Sequence, residues 1–184
     1  MSFTQKVYAD LDSKALSEIL VDGGYVIYWR HGETLKGQRD NPNVDLEDCS
    51  TQRNLSPDGQ EQAKRIGKEF DRLGILVDKV LTSPYCRCYD TGYLAFNRAE
   101  RDNGLYFSID MSKSLRTKHN QKLREYMSSS PEKGKNTIIV GHTSNLKEVS
   151  DIWPSPEGVM HVFKPEANGF THMGLILPEY WLGL

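Results

Sequence analysis

Two stretches of this chain share one design. Val26-Ile27-Tyr28-Trp29 is a short apolar run that breaks into Arg30-His31-Gly32-Glu33-Thr34, and Thr137-Ile138-Ile139-Val140 breaks into Gly141-His142-Thr143. Short apolar runs rich in β-branched and aromatic residues read as buried strands. In sheets of such strands, ligands gather at the carboxyl edge. Each run therefore ends by handing a histidine to that kind of edge. One histidine there is an ordinary polar strand terminus, whereas two, with arginines to match, indicate a site.

The rest of the chain alternates between helical and strand patterns. Leu16, Ile19 and Leu20 share a face of a short helix over 11–21, and Asp22-Gly23-Gly24 turns the chain into the first strand, Tyr25 to Trp29. Residues 32–54 are polar and aperiodic, a loop of about twenty residues following directly on His31; loops of that length are commonly functional. Ser56-Pro57-Asp58 opens a helix with a cap, a first-position proline and a first-turn acid; Ala63, Ile66, Gly67, Phe70 and Leu73 mark its buried face and Gly74 its end. A second strand runs to Thr82. Ser83-Pro84 repeats the cap-then-proline device and places Arg87 in a first helical turn, where free amides and the helix dipole favour an anion.

Gly104 to Ile109 reads as a third strand, followed by a helix from about Ser112 to Met127 with Leu115, Leu123, Tyr126 and Met127 on its buried face and His119 at the edge of that face. The basic residues flanking it, Lys113 to Arg124, read as solvated surface. After the His142 strand come a short helix through Leu146 and Val149 and two strands near 159–163 and 170–177, close enough for a hairpin at one side of the sheet. His161 and His172 fall within them as ordinary strand residues. The order of elements implies a three-layer α/β/α sandwich with a mostly parallel, mixed sheet of about six strands, formed by residues 1–184 as one domain.

Balanced charge narrows the partners. Against 25 acidic residues stand 23 basic ones, a net charge of -2, which gives no global field for nucleic acid or an anionic membrane; any anion must be gripped locally. There is neither a GxGxxG nor a P-loop pattern, and no apolar run approaches a bilayer span. The opening residues Met1 to Lys6 lack the apolar core of an export signal, which points to the cytoplasm, or to the periplasm for a chain whose leader has been removed. Three cysteines, Cys49, Cys86 and Cys88, make an odd number without metal-type spacing, so reduced packing residues are expected rather than a disulfide framework.

Four blocks carry a family resemblance: Arg30-His31-Gly32-Glu33-Thr34, Asn54-Leu55-Ser56-Pro57-Asp58-Gly59 and onward to Ala63, Thr82 to Thr91 with Arg87 inside it, and Val140-Gly141-His142. In order and spacing they resemble the histidine phosphatase superfamily, the phosphoglycerate-mutase-like enzymes. The resemblance implies a small phosphatase in which neutral His31 attacks phosphorus and forms a phosphohistidine. Arg30, Arg87 and a cationic His142 would then surround the equatorial oxygens, with no metal and no cofactor. The substrate would be a phosphomonoester or phosphoramidate, on a small molecule or a phosphoprotein. Alternatives are a mutase-type phosphotransferase and a phosphate-binding module with little activity.

The proton donor for the leaving group is the role left open. The family's Glu-Leu-Arg-like segment resembles Ser114-Leu115-Arg116 here, with serine in place of the acid. Glu157, in the turn Ser155-Pro156-Glu157-Gly158, is the first candidate, with Asp110 and Glu33 as alternatives. Branches that cleave better leaving groups manage without a strong acid, which fits this chain.

Overall fold

The computed structural model describes residues 11–109 and 111–183. Its frame is a six-stranded sheet built from β1 (Val26–Arg30), β2 (Val77–Thr82), β3 (Glu100–Arg101), β4 (Asn136–Gly141), β5 (Met160–Glu166) and β6 (Gly169–Ile176), in the order β3-β2-β4-β1-β5-β6. The pairings β3-β2, β2-β4 and β4-β1 are parallel, and β5 and β6 join antiparallel as the expected hairpin at one edge. The helices among the described residues are α1 (Ser13–Asp22), α2 (Pro57–Leu73), α3 (Cys86–Phe96), α4 (Lys113–Ser128), α5 (Thr143–Ser150) and α6 (Pro178–Leu182). None among the described residues is long and apolar enough to cross a membrane.

Strand alternation divides the core in two. Ile27 and Trp29 join Leu16, Ile66, Phe70, Cys88 and Trp181 on one face, while Val26 and Tyr28 join Leu123, Met127, Leu146 and Phe163 on the other. Both faces are buried, which is why β1 reads as an unbroken apolar run.

Register decides what meets at the carboxyl edge. Arg30 pairs with Gly141, and Thr82 pairs with Val140, so three parallel strands end level and hand His31, Ser83 and His142 to one place. Gly141 is required there because a Cβ would run into the Tyr28 hydroxyl, which donates to the His142 carbonyl at 2.7 Å. Gly59, at the start of α2, has the same character: a Cβ would strike the Glu33 carbonyl, so glycine lets α2 close on the turn after His31.

Several local expectations hold. Ser56 caps α2 through its side chain to the Gly59 amide at 3.0 Å, with Pro57 at the first position and Gly74 left-handed at the end. Others give way to tertiary demands. Gly104 to Ile109 is not a strand: Asp102 accepts from the Gly104 amide and turns Asn103–Leu105 into a 3-10 turn, and the edge strand is the two-residue β3 just before it. Leu115, expected on the buried face of α4, is 45% exposed, because the packed face of this helix begins only with Leu123. The cap of α3 is not Ser83. The helix starts at Cys86, since Ser83 spends its hydroxyl on His142 at 2.8 Å.

The cysteine expectation is overturned. Cys49 and Cys86, 37 residues apart, form a disulfide, and Cys88 alone is free and buried. The 32–54 loop folds back over the start of α3 and brings an exposed Cys49 onto Cys86, a proximity no local pattern encodes.

Candidate active site

His31 is 2% exposed and its Nδ1 lies 3.0 Å from the Gly32 carbonyl. A carbonyl only accepts, so Nδ1 carries the proton and Nε2 keeps its lone pair. Burial, followed by Arg87, holds the ring well below the ordinary histidine value of 6.5. The nitrogen left with a lone pair is thus nucleophilic at neutral pH.

His142 stands opposite, ring centroids 5.6 Å apart. Its Nδ1 faces Arg87 Nη2 at 3.4 Å and its Nε2 faces Ser83 Oγ at 2.8 Å, so the Nε2 proton is donated to serine. Phe107 and Tyr85 wall the ring at 4.6 and 5.1 Å between centroids, and the Cys88 thiol, pushed up to about 12 by burial and therefore neutral, approaches Nε2 at 3.6 Å. The cationic state expected of His142 is opposed by these surroundings in the absence of an anion. Burial, then Arg87, lowers its affinity for a proton far below 6.5, because a second positive charge against that guanidinium has no water to screen it.

The arginines are held by carboxylates. Arg87 is 1% exposed; its Nη1 donates to Asp40 at 2.8 Å and to the Arg53 carbonyl at 3.3 Å, and its guanidinium lies 4.6 Å over the Tyr85 ring. Arg30 donates to the Pro154 carbonyl and to Glu157, each at 3.2 Å. Glu157 also meets Arg53 at 3.4 Å and accepts from the Thr34 amide and hydroxyl. Both of its oxygens are committed as acceptors, the bonding of a carboxylate that positions arginine.

Of the sequence candidates, the fold brings together Arg30, His31, Arg87 and His142, with Glu157 bracing Arg30. Glu33 lines a neighbouring cleft of about 480 Å³ together with Thr34, Lys36, Gln62 and Glu157. Asp110 lies outside the described residues. Four neighbours escaped sequence reasoning: Asp40, Arg53, Ser83 and Phe107. Of these only Ser83 carried a signal, misread as a helix cap; the others depend on the path of the two loops.

The comparisons agree with this geometry. Residues 26–106 match the family model of the histidine phosphatase superfamily, branch 1. That stretch, less than half of the chain, is similar to the histidine phosphatase superfamily. Among curated protein sequences, none matches. Solved structures do. The protein histidine phosphatase SixA bound to tungstate is 13% identical, with a TM-score of 0.56 over 85% of this chain and 98% of its own. A putative α-ribazole-5'-P phosphatase from Escherichia coli is 15% identical with a TM-score of 0.63, again over 85% and 98%. A phosphoserine phosphatase from Entamoeba histolytica is 14% identical with a TM-score of 0.58 over the same shares. At these identities the likeness is one of fold.

Proposed function

We propose that the chain hydrolyses a phosphomonoester or phosphoramidate through a phosphohistidine on Nε2 of His31. One observation carries the reading. The Nε–H groups of Arg30 and Arg87 are both buried and, among the described residues, have no acceptor. A buried donor left unbonded costs about 1–3 kcal/mol, and the oxygens of a phosphoryl group between the histidines would satisfy both.

In the first step the Nε2 lone pair forms the N–P bond as the bond from phosphorus to the leaving atom breaks, and the electron pair departs on that atom. Arg30 and Arg87 stabilise the three equatorial oxygens, supplying the neutralisation otherwise asked of a metal ion. An anion held there also offsets the repulsion from Arg87 and allows His142 to take a proton and donate it to the same oxygens. In the second step water attacks phosphorus, the N–P bond breaks, and inorganic phosphate and neutral His31 are regenerated. Glu157 serves as a positioning residue for Arg30 and Arg53 rather than as the proton donor. Substrates in reach are phosphorylated small molecules and phosphoproteins, the classes named for the SixA and phosphoserine phosphatase structures.

The test is a trapped phosphoenzyme. Acid-labile, base-stable label should form with a generic aryl phosphate and vanish in His31→Ala, with inorganic phosphate as the product. Full turnover by that variant would overturn the mechanism, and return of the phosphoryl group to a second hydroxyl would mark a mutase.

A further inference from the structure

Phe107 sits in a stretch that belongs to no strand or helix. Residues 106–108 follow the 3-10 turn as coil, yet the Phe107 ring lies 4.6 Å from the His142 ring between centroids, and the Arg87 guanidinium stands 5.9 Å over it. No sheet or helix ladder fixes that ring. Side chains must.

The hold comes from α5. Asn145 donates from its side-chain amide to the Tyr106 carbonyl at 2.8 Å, and Ser108, fully buried, meets the Ser144 hydroxyl at 2.9 Å and Glu148 at 3.0 Å. A carboxylate only accepts, so the single hydroxyl proton of Ser108 goes to Glu148 and Ser144 donates in return. The residues on either side of Phe107 are thus tied to a helix that begins directly after His142.

Glu148 is the hub of that hold. Its other oxygen accepts from Asn120 of α4 at 2.8 Å, and Arg116 of α4 stands 3.7 Å away while donating to the Met111 carbonyl at 3.2 Å. One carboxylate, its side chain 22% exposed, therefore joins α4, α5 and the coil that carries Phe107. A different set faces His142: Arg87 and Cys88 of α3, Tyr85 and Ser83 before it, His31 at the end of β1 and Phe107, with Arg53 and Arg30 acting through their charge.

We propose that Glu148 is a positioning residue for the candidate active site: acting through Ser108, it holds Phe107 against His142 and so keeps water off that ring. Its charge and its hold have opposite signatures. Removing a carboxylate from the neighbourhood of a histidine lowers the ring's affinity for a proton. Letting water reach His142 raises it, because burial is the largest cause of its lowering.

The experiment follows the His142 ring by NMR of histidine-labelled, ligand-free protein across pH, with kcat/KM for a generic aryl phosphate measured on the same variants. Glu148→Ala should move the His142 midpoint up by about one pH unit, a fraction of what full burial can shift. It should also cut kcat/KM by about tenfold or more, as displacement of a pocket wall does. Glu148→Gln, which keeps an acceptor for Ser108, should recover most of both. Ser108→Ala removes only one hydroxyl and should shift the midpoint the same way, which decides the matter even where Glu148→Ala does not fold. In Phe107→Ala the midpoint is already raised, and adding Glu148→Ala should raise it no further. A midpoint that stays or falls in Glu148→Ala and Ser108→Ala, while their urea midpoints drop, would make Glu148 a purely structural residue and overturn the inference. A full extra shift on the Phe107→Ala background would overturn it as well. The inference rests on the phosphatase reading only in its kinetic arm: failure of wild type to hydrolyse the aryl phosphate would count against that reading, and the titration would still decide the role of Glu148.

Discussion

His31 and His142 leave adjacent parallel strands at the same level, from nearly the same sequence design, yet their surroundings differ. His31 is pinned by the carbonyl of the next residue, so its tautomer is set by the backbone and its Nε2 is left with a lone pair. His142 is held by side chains from elsewhere: Ser83 after β2, Arg87 and Cys88 on α3, and Phe107 beyond the 3-10 turn. A backbone anchor makes a nucleophile that is difficult to misplace. A side-chain setting makes a residue whose behaviour depends on how α3 and the loops are held.

That difference can be broken from either side, most severely at His31. His31→Ala should lower kcat on the order of 10⁴-fold or more, since loss of a nucleophile removes the pathway itself. His142→Ala should lower kcat less and still yield phosphoenzyme in a single turnover, checked by rapid quench. If the two losses were equal and neither variant labelled, the distinction between the histidines would be wrong.

The next largest effect concerns what holds α3. The disulfide ties Cys86, the residue before Arg87, to the loop that supplies Asp40 and Arg53. Gln52, fully buried in that loop, accepts from the Cys86 amide at 2.9 Å and continues the seam. On a chain-entropy account, closing a loop of 37 residues contributes about 4 kcal/mol. Cys49→Ser should therefore lower the unfolding free energy read from urea melts by that order and raise KM, through the His142 end of the pocket, while single-turnover labelling of His31 persists.

Arg87 bridges the two ends. Arg87→Ala should remove about 3 kcal/mol of transition-state stabilisation, as loss of a preorganised donor does. Burial is the larger cause of the lowering of both histidines and Arg87 the next, so the same change should move the acid limb of kcat/KM part of the way up towards 6.5.

The most gradual effect is spread over a pH range. In the unfolded chain a histidine takes up a proton near pH 6.5, whereas His31, His142 and His161 are held neutral to lower pH when folded. Below pH 6.5 the unfolded state binds more protons, so stability declines on acidification by about 1.4 kcal/mol per pH unit for each histidine. His161, lowered to about 4 by burial and then by His172, contributes between pH 6.5 and 4. Denaturant midpoints across that range should fall with pH, and the fall should shrink in His161→Gln.

Much of this was legible in one dimension. The apolar runs marked β1 and β4, the Ser56-Pro57 cap opened α2 where expected, and Arg87 fell in a first helical turn even though its helix begins two residues late. Period, capping and turn chemistry are local, so the residues that report them are close in sequence. The misreadings have a common cause. Ser83 had the form of a cap and is a partner of His142, Gly104 to Ile109 had the composition of a strand and is turned by Asp102, and Glu157 had the place of an acid and is occupied by arginines. Each is a polar group choosing between a local and a distant partner.

From its sequence alone the chain determined a layered α/β fold, two strand-end histidines and the arginines that accompany them, because buried strands and helix starts are written in consecutive residues. The tertiary structure decided the rest: which histidine carries its lone pair inward, the Cys49–Cys86 bond, the grip of Asp40 on Arg87, and the aromatic side against His142. Those features depend on two loops folding back over the sheet edge, and competition among charged and polar groups for partners is settled only when that path brings them within bonding distance.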